Sequence, residues 1–104
     1  MKTLNAAVIG LGGMGRRHVS ALDALAARGF AVRVSALCDM NTAAVQELAA
    51  ARSAAGQGAP VVFADWREAI AAGGVDLLCI ATNGPSHRDI VLAAAEAKIP
   101  FVLC

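Results

Sequence analysis

The chain predicts an α/β domain, a doubly wound parallel sheet with helices on both faces, and three observations carry that prediction. β-type and helical patterns alternate along all of its 104 residues. The first strand pattern breaks into Gly10-Leu11-Gly12-Gly13-Met14-Gly15 and passes at once into a helical one. The second strand pattern ends in an acid, Asp39, 24 positions after Gly15.

Taken in order, the patterns predict strand 4–9, helix 14–28, strand 32–38, helix 42–55 and strand 61–64. A short helix 66–72, strand 76–81, helix 86–97 and strand 101–104 follow. The first helix carries an apolar stripe of Val19, Leu22 and Leu25 or Ala26, and the second one of Val45, Leu48, Ala49 and Arg52. Ile90, Val91, Ala94 and Ala95 do the same for the last helix. Gly29, Gly56 and Gly73 close helices, and Pro60 and Pro100 open strands. Asn41, Asp65 and Ser86 are placed to cap helix starts, and Trp66 to pack the short helix onto the sheet. Right-handed crossovers between parallel strands then give a Rossmann-like sheet of order 3-2-1-4-5.

Length and composition narrow the function. A chain of 104 residues forms one domain that buries about two-thirds of its unfolded surface. Its hydrophobic fraction of 58% is rich in alanine, which marks helices lying close to a sheet, and no apolar run reaches the length of a membrane span. A net charge of +1, one Trp and no Tyr leave neither a basic stripe nor a stacking platform for nucleic acid. The first strand pattern begins right after Met1-Lys2-Thr3, with no room for a signal peptide, so the cytoplasm is the expected compartment. Cys38, Cys79 and Cys104 lie in or at the end of apolar strand patterns with no C-x-x-C pair, and read as small buried hydrophobes with no metal bound. The apolar strand at 101–104, with no helix or polar tail after it, leads us to expect a piece of a longer chain.

The glycine segment has the Gly-x-Gly-x-x-Gly form of a dinucleotide site. Gly10 permits the tight turn off the strand, Gly12 lets backbone approach a pyrophosphate, and Gly15 lets helix and strand pack closely. The helix beginning there turns free amides and partial positive charge toward the phosphates. A mononucleotide loop of the G-x-x-x-x-G-K-[ST] kind is excluded, because Arg16 and Arg17 stand where Lys and Ser or Thr are needed. Asp39 is placed to accept hydrogen bonds from a ribose 2′,3′-diol and to repel a 2′-phosphate, which favours NAD over NADP. Either Arg16 or Arg17 neutralises pyrophosphate or both are solvated, while His18 belongs on the helix surface. Thr82 and Asn83, in the polar loop after the fourth strand, are candidates to line the cofactor groove, and His87 to hydrogen-bond cofactor or substrate or else to cap its helix. Asp65, Asp76, Glu47, Glu68 and Glu96 read as caps and solvated faces.

Four segments together resemble the N-terminal NAD(P)-binding domain of the Gfo/Idh/MocA oxidoreductases. They are Val8-Ile9-Gly10-Leu11-Gly12-Gly13-Met14-Gly15-Arg16-Arg17-His18, Ala36-Leu37-Cys38-Asp39, the strand from Val75 to Thr82, and Pro85-Ser86-His87. The resemblance implies that Gly10, Gly12, Gly13, Met14 and Gly15 cradle the pyrophosphate and Asp39 the ribose. It places Ala81, Thr82, Asn83 and His87 along the nicotinamide half. It further implies a homo-oligomeric parent that transfers hydride to or from a sugar, inositol or related hydroxyl compound. In that family the strand matching 101–104 runs into Glu-Lys-Pro, whose lysine assists proton transfer, and a second α/β domain carries further catalytic and substrate residues. No catalytic residue of that set falls within this chain, so binding of NAD(H) without turnover is expected. Two other readings stand beside it: a dinucleotide-responsive regulator without enzymatic activity, and another Rossmann reductase of the amino-acid or dipicolinate type.

Overall fold

The structure, a computed structural model, describes residues 3–82 and 84–104. Five strands, β1 (Leu4–Ile9), β2 (Val32–Cys38), β3 (Val61–Phe63), β4 (Leu77–Ile80) and β5 (Phe101–Leu103), form one parallel sheet of order β3-β2-β1-β4-β5. Four helices connect them: α1 (Gly13–Ala27), α2 (Thr42–Ala54), α3 (Trp66–Ala71) and α4 (Gly84–Glu96). This is the expected doubly wound architecture and strand order.

Alternation along β1 divides the core in two. Ala6 and Val8 face Val19 and Leu22 of α1 and Val45 of α2, while Ala7 and Ile9 face Ala69 and Ile70 of α3 and Ile90 and Ala94 of α4. Both faces of the central strand are sealed, which is why its sequence reads as continuously apolar. The small residues Ala6 and Ala7, neither more than 1% exposed, let the helices sit close to the sheet.

β2 departs from simple alternation. Ala6 pairs with Val34 and Ala7 with Ala36, so Ser35 is an extra residue in the ladder, its hydroxyl 3.3 Å from the Ala6 carbonyl it donates to. The bulge puts Val34 and Leu37 on the α1/α2 face and Ala36 and Cys38 on the other. Helix starts follow the expected chemistry at two places: Asn41 Oδ1 accepts from the Ala44 N–H at 3.2 Å, and Asp65 Oδ1 from the Arg67 N–H at 2.9 Å. Gly29, Gly56 and Gly73 take positive φ just past helix ends. After α4 the left-handed position falls to Lys98, at φ 59°, and the Ile99 N–H reaches back to the Ala94 carbonyl at 3.1 Å.

Three packing expectations are corrected. On α1 the buried stripe stops at Leu22, and Leu25 and Ala26 face solvent. The next inward position, Asp23, instead forms an ion pair with Arg52 of α2, whose side chain is 4% exposed. On α4 the inward residues are Ile90, Ala93 and Ala94, with Val91 and Ala95 outside, because the helix meets the sheet along i, i+3, i+4 from Ile90. Ser86 does not cap α4: the helix begins two residues earlier at Gly84, and Pro85, with its fixed φ and missing N–H, suits that first turn.

The register of α4 is tested by a pair of substitutions. Ile90→Ala should lower the unfolding free energy by about 2–5 kcal/mol in urea titrations. Val91→Ala, one position round the helix, should change it by less than about 0.5 kcal/mol.

Candidate functional site

The glycine turn and its supports meet at the carboxyl ends of the strands, where β1 lies between β2 and β4 and the chain's helices divide between the two faces. In such a sheet this is the position of the ligand crevice. Gly10 has φ 92°, and a Cβ there would lie 2.8 Å from the Ala81 carbonyl carbon and oxygen. A Cβ on Gly15 would overlap the Gly10 carbonyl oxygen. Strand β1, the start of α1 and the end of β4 are thus in backbone contact at a point where no side chain fits. The carboxyl end of β1 is pinned on both sides, by Gly10 N–H to the Cys38 carbonyl and Ala81 N–H to the Ile9 carbonyl, each at 2.8 Å.

Asp39 ties the second strand to the same turn. Its Oδ2 accepts from the Leu11 N–H at 2.7 Å and its Oδ1 from the Asn41 N–H at 2.9 Å. A carboxylate offers roughly four acceptor positions, so two remain for further donors. The capping role expected for Asn41 leaves Asp39 to this task.

Helix α1 enters the site without the usual compensation. Its N-cap is Gly12, no side chain accepts from its first amides, and its first turn holds no acid. Helices α2 and α3, by contrast, carry Asn41 and Asp65. The first amides of a helix have no intrahelical acceptor, so this end presents donors and partial positive charge to whatever enters the crevice. Arg16, expected at the pyrophosphate or in solvent, donates from Nε to the Leu11 carbonyl at 3.2 Å and braces the loop from behind.

A cleft of about 290 Å³ runs along these groups, lined by Gly10, Gly12, Asp39, Ala81 and Thr82 among the expected residues. Gly13, Met14, Gly15 and His87 do not line it. Gly15 is buried beneath the turn, and Met14 is turned to solvent with 56% of its surface exposed. The His87 ring is half-buried and its Nε2 donates to the Thr82 carbonyl at 2.6 Å, so it holds the loop after β4 from the side. Asn83 lies outside the described residues. Thr82 Oγ1 is buried with no hydrogen-bond partner among the described residues, a donor and acceptor held at the cleft.

Met40, directly after Asp39, also lines the cleft, while Ile9, Cys38, Ala64, Trp66 and Ser86 were not singled out for the site from sequence. Position alone could have found Ala64 and Ser86, each within a few residues of a strand's carboxyl end. Of the thiols, Cys38 and Cys79 are buried and Cys104 is exposed, so the expectation of buried hydrophobes holds for two of three. Burial, followed by the negative charges of Asp39, Asp65 and Glu68, pushes the Cys38 thiol from 9.0 up to about 12. Burial also raises Cys79. Among the described residues no group of side chains is arranged to hold a metal ion, and no helix is long and apolar enough to cross a membrane.

Gly15→Ala forces backbone apart at the turn and should destabilise the fold by about 1–3 kcal/mol or more. Gly13→Ala, where a Cβ meets nothing within 4 Å, should leave the denaturation midpoint near that of the parent. In alkylation experiments on the folded protein Cys104 should react first, with Cys38 and Cys79 modified only on unfolding. Because the folded-state pKa of Cys38 is raised, its contribution to stability is intact below pH 9.0. It declines as pH rises from there toward 12, since the unfolded thiol ionises first.

Comparison with known proteins places this geometry. Residues 4–104 match the Gfo/Idh/MocA family, described as an oxidoreductase family with an NAD-binding Rossmann fold. An inositol 2-dehydrogenase of an Arthrobacter species is 39% identical over 105 residues, covering 99% of this chain and 28% of that protein. One from Rhodococcus erythropolis is 41% identical over 101 residues, covering 97% and 27% respectively. A crystal structure of an oxidoreductase from Agrobacterium radiobacter in complex with NAD+, L-tartaric acid and magnesium superposes with a TM-score of 0.80 at 25% identity, over 98% of this chain and 27% of that one. The chain therefore spans about 28% of the length of the first of these curated relatives. With nearly every residue inside the match, the chain belongs to the Gfo/Idh/MocA oxidoreductases as their NAD-binding Rossmann domain.

Proposed function

We propose that this chain is the cofactor domain of a two-domain dehydrogenase acting on a polyhydroxylated substrate of the inositol or sugar class, and that alone it binds NAD(H) without turnover. The observation that carries the reading is the hydrogen bond from the Leu11 N–H to the Asp39 carboxylate, which joins the glycine turn and the acid at one cleft. The inositol 2-dehydrogenases to which it is similar support the substrate class. Their greater length supports a second domain beyond residues 1–104. An oxidoreductase family favours an enzyme over a regulator.

In this reading the diphosphate lies against the uncapped start of α1, where Gly12 leaves the backbone bare and Gly13, Met14 and Gly15 contribute amides of the first turn. The two free acceptor positions of Asp39 receive the 2′- and 3′-hydroxyls of the adenosine ribose, and its charge disfavours a 2′-phosphate. The Thr82 hydroxyl, buried with no partner among the described residues, borders the nicotinamide half with Ala81, and His87 keeps that loop in place through the Thr82 carbonyl. When bound, the nicotinamide supplies hydride transfer. The chain's own residues hold and orient it.

Titration of the folded protein with NADH should give saturable binding. Asp39→Ala should weaken it about 10- to 100-fold, the loss expected for hydrogen bonds to a charged group, and should narrow the preference for NAD over NADP. A folded parent protein with no saturable signal, or an Asp39→Ala variant with unchanged affinity, would overturn the assignment.

A further inference from the structure

Between α1 and α2 lies a cleft of about 440 Å³ whose polar lining consists of Arg16, Ser20, Asp23, Arg52 and Gln57. A smaller cavity of about 330 Å³ shares Asp23, Arg52 and Gln57 with it and adds Arg33. Neither has a lining residue in common with the cleft at the glycine turn, so the dinucleotide reading leaves both unused.

The polar groups of this second cleft are unbalanced. Arg52 is 4% exposed and donates from Nη1 to Asp23 Oδ2, but its Nε is buried with no hydrogen-bond partner among the described residues. A guanidinium carries five N–H donors, and a buried donor without an acceptor is costly. The neighbours do not correct this. Arg16 brings a second guanidinium to the cleft, Ser20 a hydroxyl and Gln57 an amide, while Asp23 is the one carboxylate lining either cavity against Arg16, Arg33 and Arg52. Space bordered by an excess of donors and positive charge suits a guest rich in acceptors and negative charge.

We propose that the α1/α2 cleft binds the phosphate group of a small molecule, with Arg16 and Arg52 supplying charge and Ser20 and Gln57 neutral hydrogen bonds. A phosphate monoester carries close to two negative charges at pH 7 and three acceptor oxygens, which answers several donors at once. A carboxylate brings a single charge and acceptors confined to one plane. Arg16 links the site to the glycine turn, since its Nε also donates to the Leu11 carbonyl.

The amides at the start of α1 also suit phosphate, so the test must tell the two places apart. Inorganic phosphate is titrated into isotope-labelled protein at constant ionic strength, with and without excess ADP-ribose, and followed by nitrogen–proton correlation spectra. Chloride and acetate are run in parallel. The amides of Ser20, Asp23 and Gln57 and the Nε–H of Arg52 should shift together and saturate at a concentration on the order of a millimolar, with ADP-ribose present or absent. Chloride should leave them in place, and acetate should act at least several-fold more weakly. Replacing both halves of the ion pair, Asp23→Leu with Arg52→Met, leaves no lone buried charge and should keep the fold while weakening phosphate at least tenfold. Arg16→Gln, at an exposed position, should weaken it several-fold and serves as the second variant should the double substitution not fold. Phosphate shifts confined to the glycine turn, shifts that chloride or acetate reproduces equally, or unchanged affinity in a folded variant overturn the inference and leave the cofactor reading standing.

Discussion

The site depends on a steric constraint: the start of α1, the end of β1 and the end of β4 come together so closely that a single methyl group on Gly10 or Gly15 would collide with backbone. Everything else at the cleft is arranged around that point. Close approach lets the amides of α1 open toward the crevice at the level of the strand ends. It also brings the Leu11 N–H within reach of Asp39, which arrives from the neighbouring strand β2. Were the helix held away by a side chain at Gly15, the turn and the acid would no longer share a wall.

The sheet then decides which residues can join. Parallel pairing of β1 with both β2 and β4 brings all three carboxyl ends to one edge, so Asp39 and Thr82, 43 positions apart in sequence, face one cleft. The buried ion pair of Asp23 with Arg52 works at the opposite flank of α1, linking it to α2 where an apolar stripe would otherwise continue. A buried pair of this kind contributes little net stability against a well-packed apolar alternative, but it does favour one arrangement of the two helices. That arrangement fixes the direction in which α1 leaves the turn.

Much of this could be read from the chain, and the reason is local. Glycines at fixed offsets, an acid at a strand end, Asn41 and Asp65 before helical patterns, and alternating periodicities are all signals whose cause lies within a few residues. Features set by distant partners were less legible. The bulge at Ser35 exists because β1 and β2 need an extra residue between Val34 and Ala36, and serine carries no bulge signature there. Lys98 adopts a left-handed conformation that its side chain does not advertise, held by the Ile99 and Ala94 backbone groups. Arg52 read as part of a stripe because its long stem mimics an apolar residue, while its partner Asp23 lies on another helix. Trp66 read as core for a sound reason, and it does pack on the core. Only the position of its helix beside the strand ends exposes the rest of the ring to the cleft.

The two ends of the sheet hold different sets of polar groups. At the amino ends the Asn5 N–H meets Asp76 at 2.8 Å, the Arg33 Nε meets the Asn5 side chain at 2.7 Å, and the Leu4 N–H meets the Ala31 carbonyl at 2.8 Å. At the carboxyl ends the same chain leaves α1 without a side-chain cap, a threonine hydroxyl buried without a partner among the described residues, and a methionine almost wholly in water. The first two are amides without an acceptor and a hydroxyl without a polar partner, and in the proposed reading the diphosphate and the nicotinamide half of a dinucleotide answer them along the lining residues from Gly12 to Thr82.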